Sequence, residues 1–112
     1  NSTLVIASNA AEFNTVYGFE ADLSSQNVNT NGDDNYELVN GITVVDAFGV
    51  VGEDGSNTNH EYEDGRAQRK ASITQANPVY TFSEWDIWND TGDAGTINEP
   101  KDAPDAFTPG VR

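Results

Sequence analysis

The sequence predicts a mainly-β domain, a sandwich of short strands accompanied by one short helix. Three observations carry that reading. Short apolar, β-branched runs recur between polar turn clusters. The segment "YELVNGITVVDAF" (Tyr36–Phe48) sets two such runs on either side of an Asn-Gly step, a hairpin signal. Only one stretch, residues 9–18, combines helical spacing with a cap at each end.

In chain order, "TLVIA" (Thr3–Ala7) reads as a short buried strand, apolar on both faces. The helix follows. Asn9 is placed to cap it, Glu12 sits three residues on in the capping-box position, and Gly18 is placed to end it. Phe13, Val16 and Tyr17 then share one face, suited to lying on a sheet. Residues 19–35 are polar connection, rich in side chains that bond their own backbone. Asn40-Gly41 predicts a type I′ hairpin turn. "ITVVDAFGVVG" (Ile42–Gly52) is apolar on both faces apart from Asp46, which predicts a central strand covered on both sides.

Glu53–Gly65 is a long acidic loop. "RAQRKASI" (Arg66–Ile73) alternates Ala67, Arg69, Ala71 and Ile73 with Gln68, Lys70 and Ser72, as a strand with one wet face would. After Pro78, "VYTF" and "EWDIW" supply large side chains that need cover. From Asn89 onward Gly, Pro, Asp and Thr dominate and Phe107 is the main apolar anchor. The expected organisation is a folded domain over 1–90 and an irregular tail or linker over 91–112.

The chain has 112 residues, enough for one domain with a modest core. No apolar run approaches the ~18 residues needed to cross a bilayer. Asn1–Ala7 lacks the basic start and long apolar centre of a signal peptide. Cysteine and methionine are absent, which excludes disulfides, thiolate metal sites and a cysteine nucleophile. Nineteen acidic residues against five basic ones give a net charge of −14. Phosphate backbones repel such a chain, so direct nucleic-acid binding is not expected. Its carboxylates suit high-salt surroundings and Ca²⁺, a cation that takes oxygen ligands.

The Asn/Asp cluster at 29–35 invites a metal reading. An EF-hand count from Asn29 places Asn31 and Asp33 correctly but puts Asp34 where glycine belongs and Asn40 where the bidentate glutamate belongs. A turn at Asn31-Gly32 leading into the strand at Tyr36 explains the same residues. Asn31, Asp33, Asp34, Glu61 and Asp64 stand as the candidate Ca²⁺ ligands. In the acidic loop, His60 is the chain's one histidine, too few nitrogen ligands for a zinc site, and it is expected to be exposed. No nucleophile elbow and no phosphate-cradling glycine loop occur. Arg66, Arg69 and Lys70 are expected to pair with the acidic loop before them, the alternative being an anionic partner. Asp46 inside an apolar run must be paired or hydrogen-bonded, by a turn or by Arg69. Trp85 and Trp88, three apart on a strand, face opposite sides. Core filling by at least one is expected over a sugar-stacking platform.

With these residues in view, Leu4–Trp88 resembles the later part of a lamin-tail-type domain of secreted bacterial proteins. The resemblance rests on "LVIASNA", "NTNGDDNYELVNG" running into "ITVVDAFGVVG", the Arg69-Lys70 pair and "FSEWDIW". It implies an immunoglobulin-like β-sandwich without catalytic machinery, in which Asn31, Gly32, Asp33, Asp46, Gly49, Arg69, Lys70 and Trp85 are structural signature positions. The family's opening strands have no counterpart ahead of Thr3, so a sandwich lacking its first strands is expected. The resemblance further implies an extracellular or cell-surface accessory module linked to a nuclease- or phosphatase-type enzyme. Its partners would be other domains of the same protein or a surface partner, with no membrane and no cofactor. The alternatives are a Ca²⁺-dependent adhesion or carbohydrate-binding module, and a small acidic hydrolase.

Overall fold

The computed structural model describes residues 2–100 and 107–111. The chain divides into two units, residues 1–30 with 106–112 and residues 31–105.

In the first unit, strand β1 (Ile6–Ala7) lies parallel to β2 (Leu23–Ser24), and helix α1 (Ala10–Tyr17) connects them. The helix begins as its sequence predicts. Asn9 Oδ1 accepts from the Glu12 N–H at 3.2 Å, and Asn9 Nδ2 donates to Glu12 Oε2 at 3.2 Å. It ends at Gly18, left-handed at φ 77°, whose N–H donates to Asn14 O. Its apolar face is only partly covered: no α1 residue is buried, although Phe13, Val16 and Tyr17 line one cavity with Ile6 and Ala7 of β1. Phe13 packs against Tyr17 and Phe19, with ring centroids 4.7 and 5.1 Å away. The strand expected over Thr3–Ala7 is two residues long, and Leu4 and Ile6 are exposed. A two-stranded ribbon offers no second layer to cover them.

The second unit holds a hairpin and a three-stranded sheet. Strand β3 (Tyr36–Asn40) pairs antiparallel with β4 (Thr43–Phe48). In the other sheet β6 (Trp85–Asn89) is central, antiparallel to β5 (Arg66–Arg69) and parallel to β7 (Ile97–Asn98). Among the described residues the chain is therefore mainly β with one α-helix, as the sequence predicts. The hairpin is where expected, but Asn40 pairs with Thr43, leaving Gly41 and Ile42 as the turn. Of these only Gly41 has positive φ, at 65°, which is the type II′ pattern rather than type I′.

Strand β4 is not the central strand its composition predicts. Among the described residues its one strand partner is β3, and Val45, Val50 and Val51 are exposed. The buried apolar residues of this unit are Ala47, Phe48, Ile87 and Trp88, from the last turns of β4 and β6. Strand β5 stops at Arg69, because Lys70 opens a turn closed by the Ile73 N–H at 2.9 Å. Of the tail expected over 91–112, Ile97–Asn98 forms β7, while residues 101–106 and 112 lie outside the described residues.

Candidate functional site

Arg69, on β5, faces β4 and meets Asp46. Its Nη1 donates to Asp46 Oδ1 at 2.7 Å and Oδ2 at 2.6 Å, and its Nη2 donates to Glu84 Oε2 at 2.8 Å. The Asn77 N–H donates to Asp46 Oδ1 at 3.0 Å, and Asn77 Nδ2 donates to Glu84 Oε1 at 3.0 Å. The guanidinium also lies over the Trp85 ring, 4.9 Å from its centroid. Burial would raise the Asp46 pKa. The Arg69 hydrogen bonds, the Asn77 and Ala47 N–H groups and the Arg69 charge outweigh it and hold the carboxyl below its ordinary value. Both Asp46 readings thus hold at once: the carboxylate braces the turn at Asn77 and pairs with Arg69. Arg69 and Lys70 find their partners outside the acidic loop. Lys70 donates to Ser83 O at 2.9 Å and lies 3.8 Å from Asp86, while Arg66 sits over the Trp88 ring at 5.3 Å.

The acidic loop is less solvated than its composition predicts. His60, expected to be exposed, is fully buried at 0 % exposure, and Glu61 is 4 % exposed. Phe48 gathers the loop around itself. His60, Tyr62, Tyr80 and Trp85 pack edge-on to its ring at centroid distances of 6.4, 5.6, 5.6 and 4.8 Å. His60 Nδ1 lies 3.0 Å from Thr58 Oγ1 and 3.8 Å from Glu53 Oε2. Glycines on both sides admit its ring: a Cβ at Gly49 or Gly55 would lie 3.0 Å from His60 Cδ2. Tyr80, half-buried against the same group and donating to Asn59 O, has its pKa raised by that partial burial. Phe48 and Tyr80, 12 and 20 positions away, close over the histidine, and no local pattern announces it.

One face of the same loop gathers carboxylates. Oxygens of Glu61, Glu63 and Asp90 lie within 4.8 Å of one another. Asn89, fully buried, sets this geometry. Its Nδ2 donates to Glu61 O at 3.0 Å, and its Oδ1 accepts from the Gly92 N–H at 2.7 Å and the Thr91 N–H at 3.3 Å. Glu61 Oε2 accepts from Thr91 Oγ1 at 3.4 Å. The Glu63 pKa is raised, first by the Asp90 charge and further by desolvation, Glu61, Asp64 and Asp33. An all-oxygen donor set with this charge suits a hard cation such as Ca²⁺ and not a transition metal.

Of the sequence-predicted ligands, Glu61 belongs to this trio, and Asp64 and Asp33 lie near enough to act on Glu63. Asn31 and Asp34 serve the turn: the Asn31 N–H donates to Asp34 Oδ2 at 3.2 Å. Asp33 Oδ2 accepts from Ser56 Oγ at 3.3 Å, and Gly32 O accepts from the Tyr62 N–H at 2.6 Å. Gly32 has φ 105° and lies against Glu63, whose Cα would be 2.4 Å from an added Cβ. No local signal in the sequence joins the loop carboxylate Glu63 to Asp90 and Asn89, since Glu63 and Asp90 are 27 positions apart and meet through β5–β6 pairing. The two tryptophans do face opposite sides of β6, Trp85 toward Phe48 and Trp88, 8 % exposed, beneath Arg66. Comparison of the chain with protein-family models, curated proteins and solved structures returned no match.

Proposed function

We propose that the chain is a non-catalytic β module of an extracellular protein, a lamin-tail-like sandwich that positions or docks an attached nuclease- or phosphatase-type enzyme. One observation carries the reading: the side chains best suited to catalysis are engaged in holding the fold. His60 is sealed among aromatic rings, and Asp46, Arg69 and Glu84 are tied to one another and to Asn77. Supporting the sandwich, contacts between Phe48 and Trp85 and between Asp46 and Arg69 join the hairpin to the three-stranded sheet. The secreted setting and the attached enzyme rest on the sequence resemblance. Incubating the chain with DNA, RNA and small phosphodiesters tests the reading. Turnover abolished by a single carboxylate substitution would overturn it in favour of an acidic hydrolase.

A second reading, a Ca²⁺-dependent adhesion or carbohydrate-binding module, is favoured by one cluster. Glu61 is a nearly buried carboxylate, and its oxygens lie within 4.8 Å of those of Glu63 and Asp90. Such a concentration of charge is costly without a cation. Calorimetric titration with Ca²⁺, with and without a glycan panel, tests it. Absence of heat in both removes the reading.

A further inference from the structure

The outer edge of β3 has the geometry of an acceptor for another strand. The pair Asn40–Thr43 closes a two-residue turn, so Val39, one step back, directs its N–H and C=O away from β4. Glu37, two residues further, points the same way. Its opposite residue Ala47 confirms the alternation, because the Ala47 N–H leaves the hairpin on the far side of β4 to reach Asn77 O at 2.9 Å. Among the described residues no strand pairs with the β3 edge.

Edges of this kind are usually blunted by lysine, proline or a bulge in the edge strand. Strand β3 reads Tyr-Glu-Leu-Val-Asn, and the irregularity at Leu38/Val39 arises from the extra Val45 on β4. Leu38 is 65 % exposed on one face and Val39 54 % exposed on the other, and Ile42 at the tip is fully exposed. The edge therefore combines main-chain donors and acceptors with apolar side chains on both faces. Charge selects among occupants. Glu37 projects beside Val39 with no cation against it among the described residues, while Arg66, Arg69 and Lys70 are held on the β5 side. A second copy would bring another −14 to the interface.

We infer that the β3 edge binds an extended, apolar and basic polypeptide segment by strand addition, with a lysine or arginine opposite Glu37. Main-chain bonds to Glu37 and Val39 supply affinity, and the alternating apolar contacts with Glu37 supply selection. The inference deepens the docking role proposed above and rests on it. It fails separately, because strand binding and phosphodiester turnover are read in different assays.

The test titrates the whole chain with two synthetic peptides, one alternating valine with lysine and one alternating valine with glutamate. Calorimetry measures affinity, and hydrogen exchange follows the individual amides. The lysine peptide is expected to bind, to slow exchange at Glu37 and Val39, and to weaken with added salt. The glutamate peptide is expected not to bind. Val39→Pro removes an outward N–H without touching the β3–β4 ladder and is expected to weaken binding about tenfold or more. Val39→Lys, should the proline variant misfold, blocks the edge by charge with the same expected loss. Absence of lysine-peptide binding overturns the inference. So does binding indifferent to both variants, which would be general charge attraction. Self-association of the unliganded chain through this edge, seen by sedimentation and abolished by Val39→Pro, also overturns it in favour of a second copy.

Discussion

Arg69 closes on both carboxylate oxygens of Asp46, at 2.7 and 2.6 Å, and thereby ties strand β5 to strand β4. Its second amino group takes Glu84 at 2.8 Å, so a single guanidinium holds two acids presented from different elements. Lysine carries the charge but not the fork, and it cannot span both partners.

The first prediction follows from that pair. Asp46→Asn keeps the shape and removes the charge, leaving Arg69 with Glu84 alone. It is expected to lower unfolding stability by about 2 kcal/mol, the usual worth of a hydrogen bond to a charged group. Arg69→Lys should lose a similar amount. Urea denaturation followed by tryptophan fluorescence measures both, because Trp85 lies under the guanidinium.

Acid should weaken the same joint. The Asp46 pKa is lower in the folded chain than in the unfolded one, so its contribution is present above the ordinary carboxylate range. It is lost as pH falls through the folded value. Glu63 acts oppositely: its pKa is raised, so its contribution is present at low pH and is lost as pH rises through that value. The expected profile has stability dropping as pH falls below about 4, with Glu63 opposing the drop. Thermal melts across this range check it. In Asp46→Asn the drop below about 4 should shrink.

Two glycines separate backbone strain from close contact. Gly41 has positive φ, and an added Cβ there meets nothing within 4 Å. Gly65 lacks positive φ, but its Cβ would lie 1.9 Å from Trp88 O. Gly41→Ala is therefore expected to cost about 1 kcal/mol, the strain of a left-handed residue. Gly65→Ala should cost more than 3 kcal/mol or prevent folding, since strand backbone must move. Comparing the two melting midpoints decides it.

The carboxylate trio makes a prediction under the calcium reading. Without Ca²⁺, Glu63→Gln removes repulsion from Asp90 and Glu61 and should leave the melting temperature unchanged or raise it slightly. With millimolar Ca²⁺ the parent chain should gain stability by linkage and the variant should not. Parallel melts with Ca²⁺ and with chelator read the difference. Equal responses in the two proteins remove the trio as the binding site.

The parts of the fold legible in the sequence are local. The Asn9 cap, the Gly18 stop and the hairpin around Gly41 each depend on a few adjacent residues whose backbone preferences agree. The Asp46–Arg69 pair was legible for another reason. A charge inside an apolar run demands a partner, and few cations are available. What the sequence does not carry is cover. Residues 42–52 look like a central strand because apolar composition reports a preference for burial, not the presence of a neighbour. Loop residues 53–65 look solvated because charge dominates their composition, although Phe48 draws His60 inward.

By itself the sequence determined a mainly-β chain with one capped helix and one hairpin, because capping, turn chemistry and strand preference act within a few residues. Only the tertiary structure decided that His60 is buried and that Glu61 and Glu63 meet Asp90. It also decided that, among the described residues, no strand pairs with the β3 edge. Burial, convergence and pairing are properties of surfaces brought together from distant segments, and those surfaces exist only once β5, β6 and the hairpin have taken their places.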